Sequence, residues 1–339
     1  MVGCAAAGRN KVAVIIPYYQ EKAGILKRAV KSVLDQKGSN PIEIVVVDDG
    51  SPISAQQELE GLPAQDIASI RIATQPNAGP AAARNRGLNS VDPAIEFVAF
   101  LDSDDEWTNR HVRNAVLALE MGYDFYFADL VQLGQTVSAF NRAKRILLSD
   151  HARLNDEEPM LYRYQGNMFR QILMGNVIGT PTVVYRFRRY PELRFREEFY
   201  NAGEDYLFWM DFCRLSDKIA FSSEIECKCG AGVNIYTASG WGTDLHARRV
   251  HNEMKYRKSV KRLYPLSCDE KAFVQEQIGA LRQAFVRDIL HRLAHGRKLD
   301  GATLKAQAKL DLYSVLLFVP LAFKIAFVGL FATLFRRRT

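Results

Sequence analysis

With 339 residues, 48% apolar and 24% charged, the chain has the composition of an ordinary globular protein and the length for one large or two modest domains. Its five cysteines (Cys4, Cys213, Cys227, Cys229, Cys268) are odd in number and lack framework spacing, which excludes a disulfide scaffold. The first ten residues lack the apolar core of a secretory signal, so reduced thiols in a cytosolic setting are expected. The net charge of +7 is uneven: from Gly240 to Thr339 there are 19 Lys/Arg against 8 Asp/Glu, a net of +11. That basic third suits an anionic surface or a solvated helical face.

Along the chain, Val12–Ile16 is a short β-branched run ending at Pro17, the pattern of a buried parallel strand. Apolar residues at Ile25, Leu26, Ala29, Val30, Val33 and Leu34 predict an amphipathic helix within 21–37, closed near Gly38. Ile42–Val47 is a second strand with Asp48-Asp49-Gly50-Ser51-Pro52 as its turn, and Ser69–Thr74 a third. Gly79-Pro80 opens a helix through Leu88. A fourth strand runs to Leu101, a helix follows near Asn109–Glu120, and a fifth strand lies near Tyr123–Ala128. This alternation predicts an α/β fold, a doubly wound, mostly parallel sheet. Residues 130–165 resist assignment. Residues 166–175 read as helix, Val177–Phe187 as strand and Glu204–Leu215 as helix. Beyond about 244 the pattern is helical and basic.

The C-terminus carries two nearly uninterrupted apolar stretches, 312–323 and 325–335, split by Lys324 and stopped by Arg336-Arg337-Arg338. About 20 apolar residues span a bilayer. A central Lys costs roughly 2.5–3.5 kcal/mol on insertion scales, and Pro320 is expected to kink the helix. An interfacial or re-entrant helix avoids both costs; a buried core helix is the alternative. The boundaries that follow are 1–240 for an α/β domain and 241–339 for a basic helical region ending in a membrane-associating helix.

Chemistry concentrates at the strand tips. Phe97–Leu101 runs directly into Asp102-Ser103-Asp104-Asp105, and ligands bind at such tips in open α/β sheets. Clustered carboxylates call for a hard cation, Mg²⁺ or Mn²⁺, bridging to substrate phosphates. Three further segments share that edge: Pro17-Tyr18-Tyr19-Gln20-Glu21, Val47-Asp48-Asp49-Gly50-Ser51, and Asn77 through Gly87 with Arg84 in its middle. A tyrosine face for a base, a carboxylate for ring or ribose donors, and an arginine with a metal for a diphosphate suit a nucleotide diphosphate.

The ordered set Ile-Ile-Pro-x-Tyr, Val-Val-Asp-Asp-Gly-Ser, Ala-Arg-Asn-x-Gly and Leu-Asp-x-Asp-Asp resembles the family 2 glycosyltransferases of the GT-A fold. The likeness is strong over residues 11–130 and looser over 160–240. It implies that Tyr19 stacks on the base and that Asp49 accepts a hydrogen bond from it, with Pro17 and Glu21 in the same nucleotide-facing segment. It further implies that Arg84 contacts the nucleotide or its diphosphate, that Asp102 touches ribose or metal, and that Asp104 ligates the metal. Gly203-Glu204-Asp205 matches the later Glu-Asp pair whose Asp is the general base, and a helix N-terminus there favours the ionised form. Asp105 is left to cap the following turn. Gln20 replaces the family's usual Asn.

The Gln-x-x-Arg-Trp motif of processive relatives is missing, which argues for one sugar per encounter. Trp241, in Ser-Gly-Trp-Gly-Thr, suits either an acceptor site or the core. His246 and His251 are either a late metal ligand or ordinary helix histidines. Cys227-Lys228-Cys229 is too tight for a usual zinc pair.

A narrower likeness, to bacterial exopolysaccharide glucosyltransferases including those of succinoglycan synthesis, implies an inverting transfer of glucose from UDP-glucose. The implied acceptor is a polyprenyl-diphosphate-linked oligosaccharide at the cytoplasmic face of the inner membrane; nucleic acid is not an expected partner. A sugar-nucleotide pyrophosphorylase needs a Gly-rich loop where Pro17-Tyr18-Tyr19 stands. A catalytically silent membrane scaffold is the rival from another class, and intact Asp104, Arg84 and Asp205 argue against it.

Overall fold

The computed structural model describes residues 11–36, 40–199, 202–232 and 239–336, the last nine by backbone alone. They form two compact units: one holds the chain through Glu198 and from Glu204 to 232, the other holds residues 199, 202, 203 and 239 onward.

The first unit is built on a ten-stranded sheet. Its strands are β1 (Val12–Tyr18), β2 (Ile42–Asp48), β3 (Ile70–Thr74), β4 (Phe97–Phe100), β5 (Glu106–Trp107), β6 (Phe125–Val131), β7 (Ala152–Arg153), β8 (Leu161–Arg163), β9 (Val184–Tyr185) and β10 (Ile219–Lys228). The order is β3-β2-β1-β4-β9-β6-β10-β8-β7, with β5 on β10. β3, β2, β1 and β4 are mutually parallel, as are β6 and β10. β9 enters antiparallel between β4 and β6. Helices α1 (Ile25–Leu34), α2 (Ala55–Leu59), α3 (Ala64–Ile67), α4 (Pro80–Ser90), α5 (His111–Glu120), α6 (Ala139–Ala143), α7 (Met168–Gly175) and α8 (Glu204–Cys213) accompany it. This is the mostly parallel, helix-covered α/β sheet that the alternation of elements predicts.

Register places the chemistry. Tyr18 pairs with Asp48, Asp48 with Thr74, and Leu101 N–H donates to Ile15 O, so the tips of four strands lie side by side. Val12–Ile16, Ile44–Val47 and Phe97–Leu101 are fully buried, which is why they read as unbroken apolar runs. α4 lies hard against β1: a Cβ on Gly87 would come within 2.4 Å of the Ile15 side chain, so only glycine fits there. In α8, Leu207, Phe208, Trp209 and Met210 are all buried, making it a helix covered on every side.

Three expectations change. Val177–Phe187 is not one strand; Thr180–Thr182, with Pro181 lacking an N–H, forms a 3₁₀ turn and leaves only Val184–Tyr185 paired. β10, the longest strand, was not expected, because its Ser-Ser-Glu stretch breaks the apolar pattern where the pairing to β6 shifts register. Glu226 on β10 is wholly buried yet satisfied: His111 Nδ1 lies 2.8 Å from it, and Asn114 and Tyr126 donate to it at 2.7 and 2.8 Å.

The second unit comprises α9 (His246–Leu263), α10 (Cys268–Ala294), α11 (Gly301–Leu310), α12 (Leu312–Leu316) and α13 (Phe318–Arg336). The third expectation concerns Pro320. It does not kink a continuous helix, because the chain already breaks at Leu317 and Pro320 sits in the first turn of α13, where its missing N–H costs nothing. No helix among the described residues is long and apolar enough to cross a membrane. Leu312, Tyr313, Val315, Leu316, Val319, Phe323 and Phe327 nevertheless stand exposed along α12 and α13. Arg337, Arg338 and Cys4 lie outside the described residues.

Asp311 anchors this apolar segment. It is buried, yet accepts two bonds from Arg282 at 2.7 and 2.8 Å, one from Lys258 at 3.0 Å and one from Ser314 at 2.7 Å. Burial alone would raise its pKa; Arg282, Ser314 and Lys258 outweigh that and hold the carboxyl well below the usual range. Asp311→Ala leaves Arg282 and Lys258 without their counter-charge. It is expected to destabilise the helical unit by about 3–5 kcal/mol, read from urea unfolding monitored by helical circular dichroism.

Candidate active site

The four strand-tip segments are stitched together by their own side chains. Tyr18 turns inward, its hydroxyl donating to Ile53 O at 2.8 Å, while Tyr19 stays partly exposed and Glu21 exposed at the same tip, beyond Pro17. Gln20 is a junction: its N–H donates to Ser51 Oγ at 2.9 Å and its amide to Ser103 Oγ at 3.1 Å, joining three of the four segments. A longer amide than asparagine thus spans to the residue between Asp102 and Asp104. Asp48 folds its turn by accepting from Ser51 and Ala55 N–H. Asp49 is buried and accepts from Gln75 Nε2 at 2.7 Å and from the Ala78 and Gly79 N–H groups at 2.8 Å, so it shapes the loop that leads into α4.

Arg84 is the centre of the site. It is 5% exposed, donates to Asp102 Oδ1 at 2.6 Å, lies over the Phe195 ring, and holds its Nε buried without a hydrogen-bond partner. Burial works against its charge, but Asp102, Glu204 and Asp205 outweigh it and hold its pKa above the ordinary arginine value. The next residue, Asn85, clamps the loop beneath, exchanging hydrogen bonds of 2.8 Å with the Phe195 backbone and donating to Glu197.

Asp102 and Asp104 are partly exposed, Asp105 buried. Burial, then the neighbouring Asp102, raises Asp104, outweighing the Gly232 N–H and Arg28, which lower it. Asp105 is not a surface turn cap. It accepts from Gly230 N–H at 3.0 Å and shares its position with Cys227 and Cys229, ligand atoms within 4.8 Å of one another. Burial, then Cys229, raises the pKa of Asp105. The two partly exposed carboxylates at the tip are Asp102 and Asp104. That pair suits Mg²⁺ or Mn²⁺ held jointly by protein and substrate phosphates. His246 and His251 find partners in the helical unit, at Ser239 O and Gln307 Oε1.

The segment after β10 was not singled out from the sequence. It crosses directly over this loop: a Cβ on Gly230 would lie 1.7 Å from Asp104 O, and one on Gly232 within 2.6 Å of the Asp104 carboxylate. Gly232 N–H donates to Asp104 Oδ2 at 2.8 Å. The Gly-Ala-Gly spacing was the available signal.

Glu204 and Asp205 open α8. Asp205 accepts from its neighbour Tyr206 N–H at 2.8 Å and from Thr180 Oγ1 at 3.4 Å. One oxygen of Glu204 is buried without a hydrogen-bond partner. Burial, then Asp205, raises Glu204 to about 7; burial also raises Asp205. Burial therefore outweighs the helix N-terminus expected to keep Asp205 ionised, and moves it toward the range a general base needs at neutral pH.

Residues 13–188 match the model of glycosyl transferase family 2, a span that includes every strand-tip segment and ends before Asp205. The chain belongs to that family. It is similar to the succinoglycan biosynthesis protein ExoW of Rhizobium meliloti, with 32% identity over 227 residues, 67% of this chain and 70% of that one. It is also similar to the minor teichoic acid biosynthesis protein GgaA of Bacillus subtilis, with 36% identity over 33% of this chain and 24% of that one. Among solved structures, Staphylococcus aureus TarS 1–349 in complex with UDP-GlcNAc superposes with a TM-score of 0.52 at 18% identity, over 92% of this chain and 89% of that one. The mannosyltransferase PcManGT of Pyrobaculum calidifontis, in complex with GDP-Man and Mn²⁺, gives 0.54 at 17% identity, over 94% and 86%. These likenesses show the GT-A fold, and the family makes the chain a glycosyltransferase related to exopolysaccharide and teichoic acid enzymes.

Two outcomes follow from the geometry. Gly232→Ala pushes a methyl group into Asp104 and is expected to weaken Mn²⁺ binding about tenfold in calorimetry, with the melting temperature little changed. Because a base must lose its proton to act, turnover should fall on the acid side of neutrality. Since burial and Asp102, not Glu204, raise Asp205, whereas Asp205 raises Glu204, Glu204→Gln should leave that acid limb in place in a pH–rate profile.

Proposed function

We propose that this glycosyltransferase is inverting, metal-dependent and non-processive, moving glucose from UDP-glucose to a lipid-linked oligosaccharide in exopolysaccharide synthesis. The observation that carries it is the buried Arg84, fixed on Asp102 at 2.6 Å and held in the field of Glu204 and Asp205. Donor-side and base-side carboxylates thus share one cation.

Tyr19, partly exposed beside Pro17 and Glu21, offers its ring to the base, and Asp49 has lone-pair capacity left beyond its three protein donors. Asp104, with Asp102, would hold the divalent ion, which when bound neutralises charge on the leaving diphosphate. Arg84 adds fixed positive charge in a site largely closed to water, where it acts more strongly than in solvent. Asp205 takes the proton of the acceptor hydroxyl as that oxygen attacks the anomeric carbon, and the carbon–phosphate oxygen bond breaks to release the nucleoside diphosphate. Single displacement converts an α-linked donor to a β-linked product.

UDP as donor nucleotide is supported by the fold shared with a structure that holds UDP-GlcNAc, and exopolysaccharide synthesis by the ExoW likeness. The exposed apolar stripe of α12 and α13 with Lys324 supports docking on an anionic membrane surface, the cytoplasmic face of a bacterial inner membrane, where a polyprenyl-diphosphate acceptor resides.

The test is nucleotide release from a panel of UDP- and GDP-sugars with Mn²⁺ or Mg²⁺, with and without lipid-linked acceptor. UDP-glucose should be turned over fastest and the acceptor should accelerate it. Asp205→Asn should bind UDP as the parent does and lose roughly 10²–10⁴-fold in transfer. Near-parental transfer by that variant would remove Asp205 from the mechanism, and no release from any donor would favour a silent scaffold.

A further inference from the structure

The helical unit holds an exposed tryptophan on a rigid mount. Trp241 is 52% exposed, whereas the chain's other two tryptophans, Trp107 and Trp209, are buried. The core alternative for Trp241 is thereby set aside. The turn that carries it is fastened from below. Arg292, 4% exposed, donates to Thr243 O at 2.6 Å and to Asp244 at 3.3 Å while its Nε is fixed on the buried Asp288 at 2.7 Å. Arg297 donates to Gly242 O, and Thr243 N–H and Oγ1 both close onto Gly240 O. Gly242 takes φ +80°, which favours glycine and lets the turn reverse directly after the indole.

A buried, multiply bonded arginine thus fixes the turn that carries a half-exposed indole. A half-exposed indole gains less from folding than a buried one, and its fixed presentation leaves apolar surface open to a ligand. The ring is flanked by imidazoles: His246 edge-on at 5.3 Å, His291 tilted at 5.3 Å, and His295 4.2 Å beyond His291. The carboxylate of Asp244 is 90% exposed beside it. The two arginines are directed onto backbone carbonyls, and an exposed carboxylate disfavours an anionic headgroup. A flat apolar face with a rim of imidazole nitrogens and one carboxylate is complementary to a pyranose, which has an apolar C–H face and a hydroxyl edge.

We propose that Trp241, with His246, His291 and Asp244 around it, is a platform for one pyranose ring of the acceptor glycan. The platform presupposes the carbohydrate acceptor proposed above, and its test is separable from that of the donor reaction.

Acrylamide quenching of intrinsic fluorescence reports on Trp241 selectively, since the other two indoles are buried. In the full chain, cellotetraose, laminaritetraose or maltotetraose should protect the quenchable emission saturably, and Trp241→Ala should abolish that fraction. The same variant should raise KM for an oligosaccharide acceptor roughly tenfold, about 1.4 kcal/mol, with Trp241→Phe intermediate. UDP affinity and acceptor-free donor hydrolysis should stay at parental values, a split that misfolding would not produce. The platform is overturned if no tetrasaccharide protects, if phosphatidylglycerol vesicles protect where sugars do not, or if Trp241→Ala leaves acceptor KM unchanged. Failure of the parent to release nucleotide from any donor would instead count against the donor reaction, leaving the quenching result to stand by itself.

Discussion

The ion pair between Arg84 and Asp102 is the constraint on which the catalytic unit depends. A guanidinium this deeply buried is tolerated only with counter-charge at hand, and here Asp102, Glu204 and Asp205 together supply it. Glu204 and Asp205 are in turn costly to bury, and Arg84 is the cation that offsets them. The result is a site whose charge is balanced only in part: Asp104 and Glu204 remain raised in pKa, and two buried polar atoms, Arg84 Nε and one oxygen of Glu204, have no protein partner. Such a site is poised for a divalent cation and a diphosphate, which would complete the charge count.

The surrounding fold keeps that arrangement in register. Gly87 allows α4 to settle on β1 and so sets the depth of Arg84, while Asn85 pins the Phe195 loop against which the guanidinium stacks. From the other side, Gly230 and Gly232 bring β10's continuation across the Asp102–Asp105 loop.

Much of this was legible in the sequence where burial is two-sided. Val12–Ile16, Ile44–Val47 and Phe97–Leu101 are apolar without interruption because both faces of a central parallel strand are covered, and their tips could be aligned by topology alone. β10 was not legible, since its polar stretch coincides with shifted pairing, and the two-residue, antiparallel β9 was legible only as part of a longer run, Val177–Phe187. At the site, residue types disclosed the carboxylates and Arg84. The roles of Gln20, Asn85, Gly230 and Gly232 arise from contacts between segments distant in sequence, and a single sequence carries no signal for those beyond glycine spacing. Asp105 was misplaced for the same reason: its partners, Cys227 and Cys229, arrive from β10 more than a hundred residues later.

The two units divide the chemistry differently. The sheet gathers charge at its strand tips, whereas the helical unit presents apolar surface: an indole on a fastened turn, and a stripe along α12 and α13 anchored by the buried Asp311. In the proposed function, a nucleotide-sugar donor uses the first kind of surface and a glycan on a lipid carrier the second.

The central claim is that the strand-tip carboxylates and Arg84 form one metal-dependent nucleoside-diphosphate site. Isothermal titration of UDP into the purified chain, with Mn²⁺ and then with excess chelator, tests it most directly when the parent is set beside Asp104→Asn. The account predicts saturable one-to-one binding that is lost both on chelation and in the variant. Equal UDP affinity with and without metal, or in the variant, would contradict it.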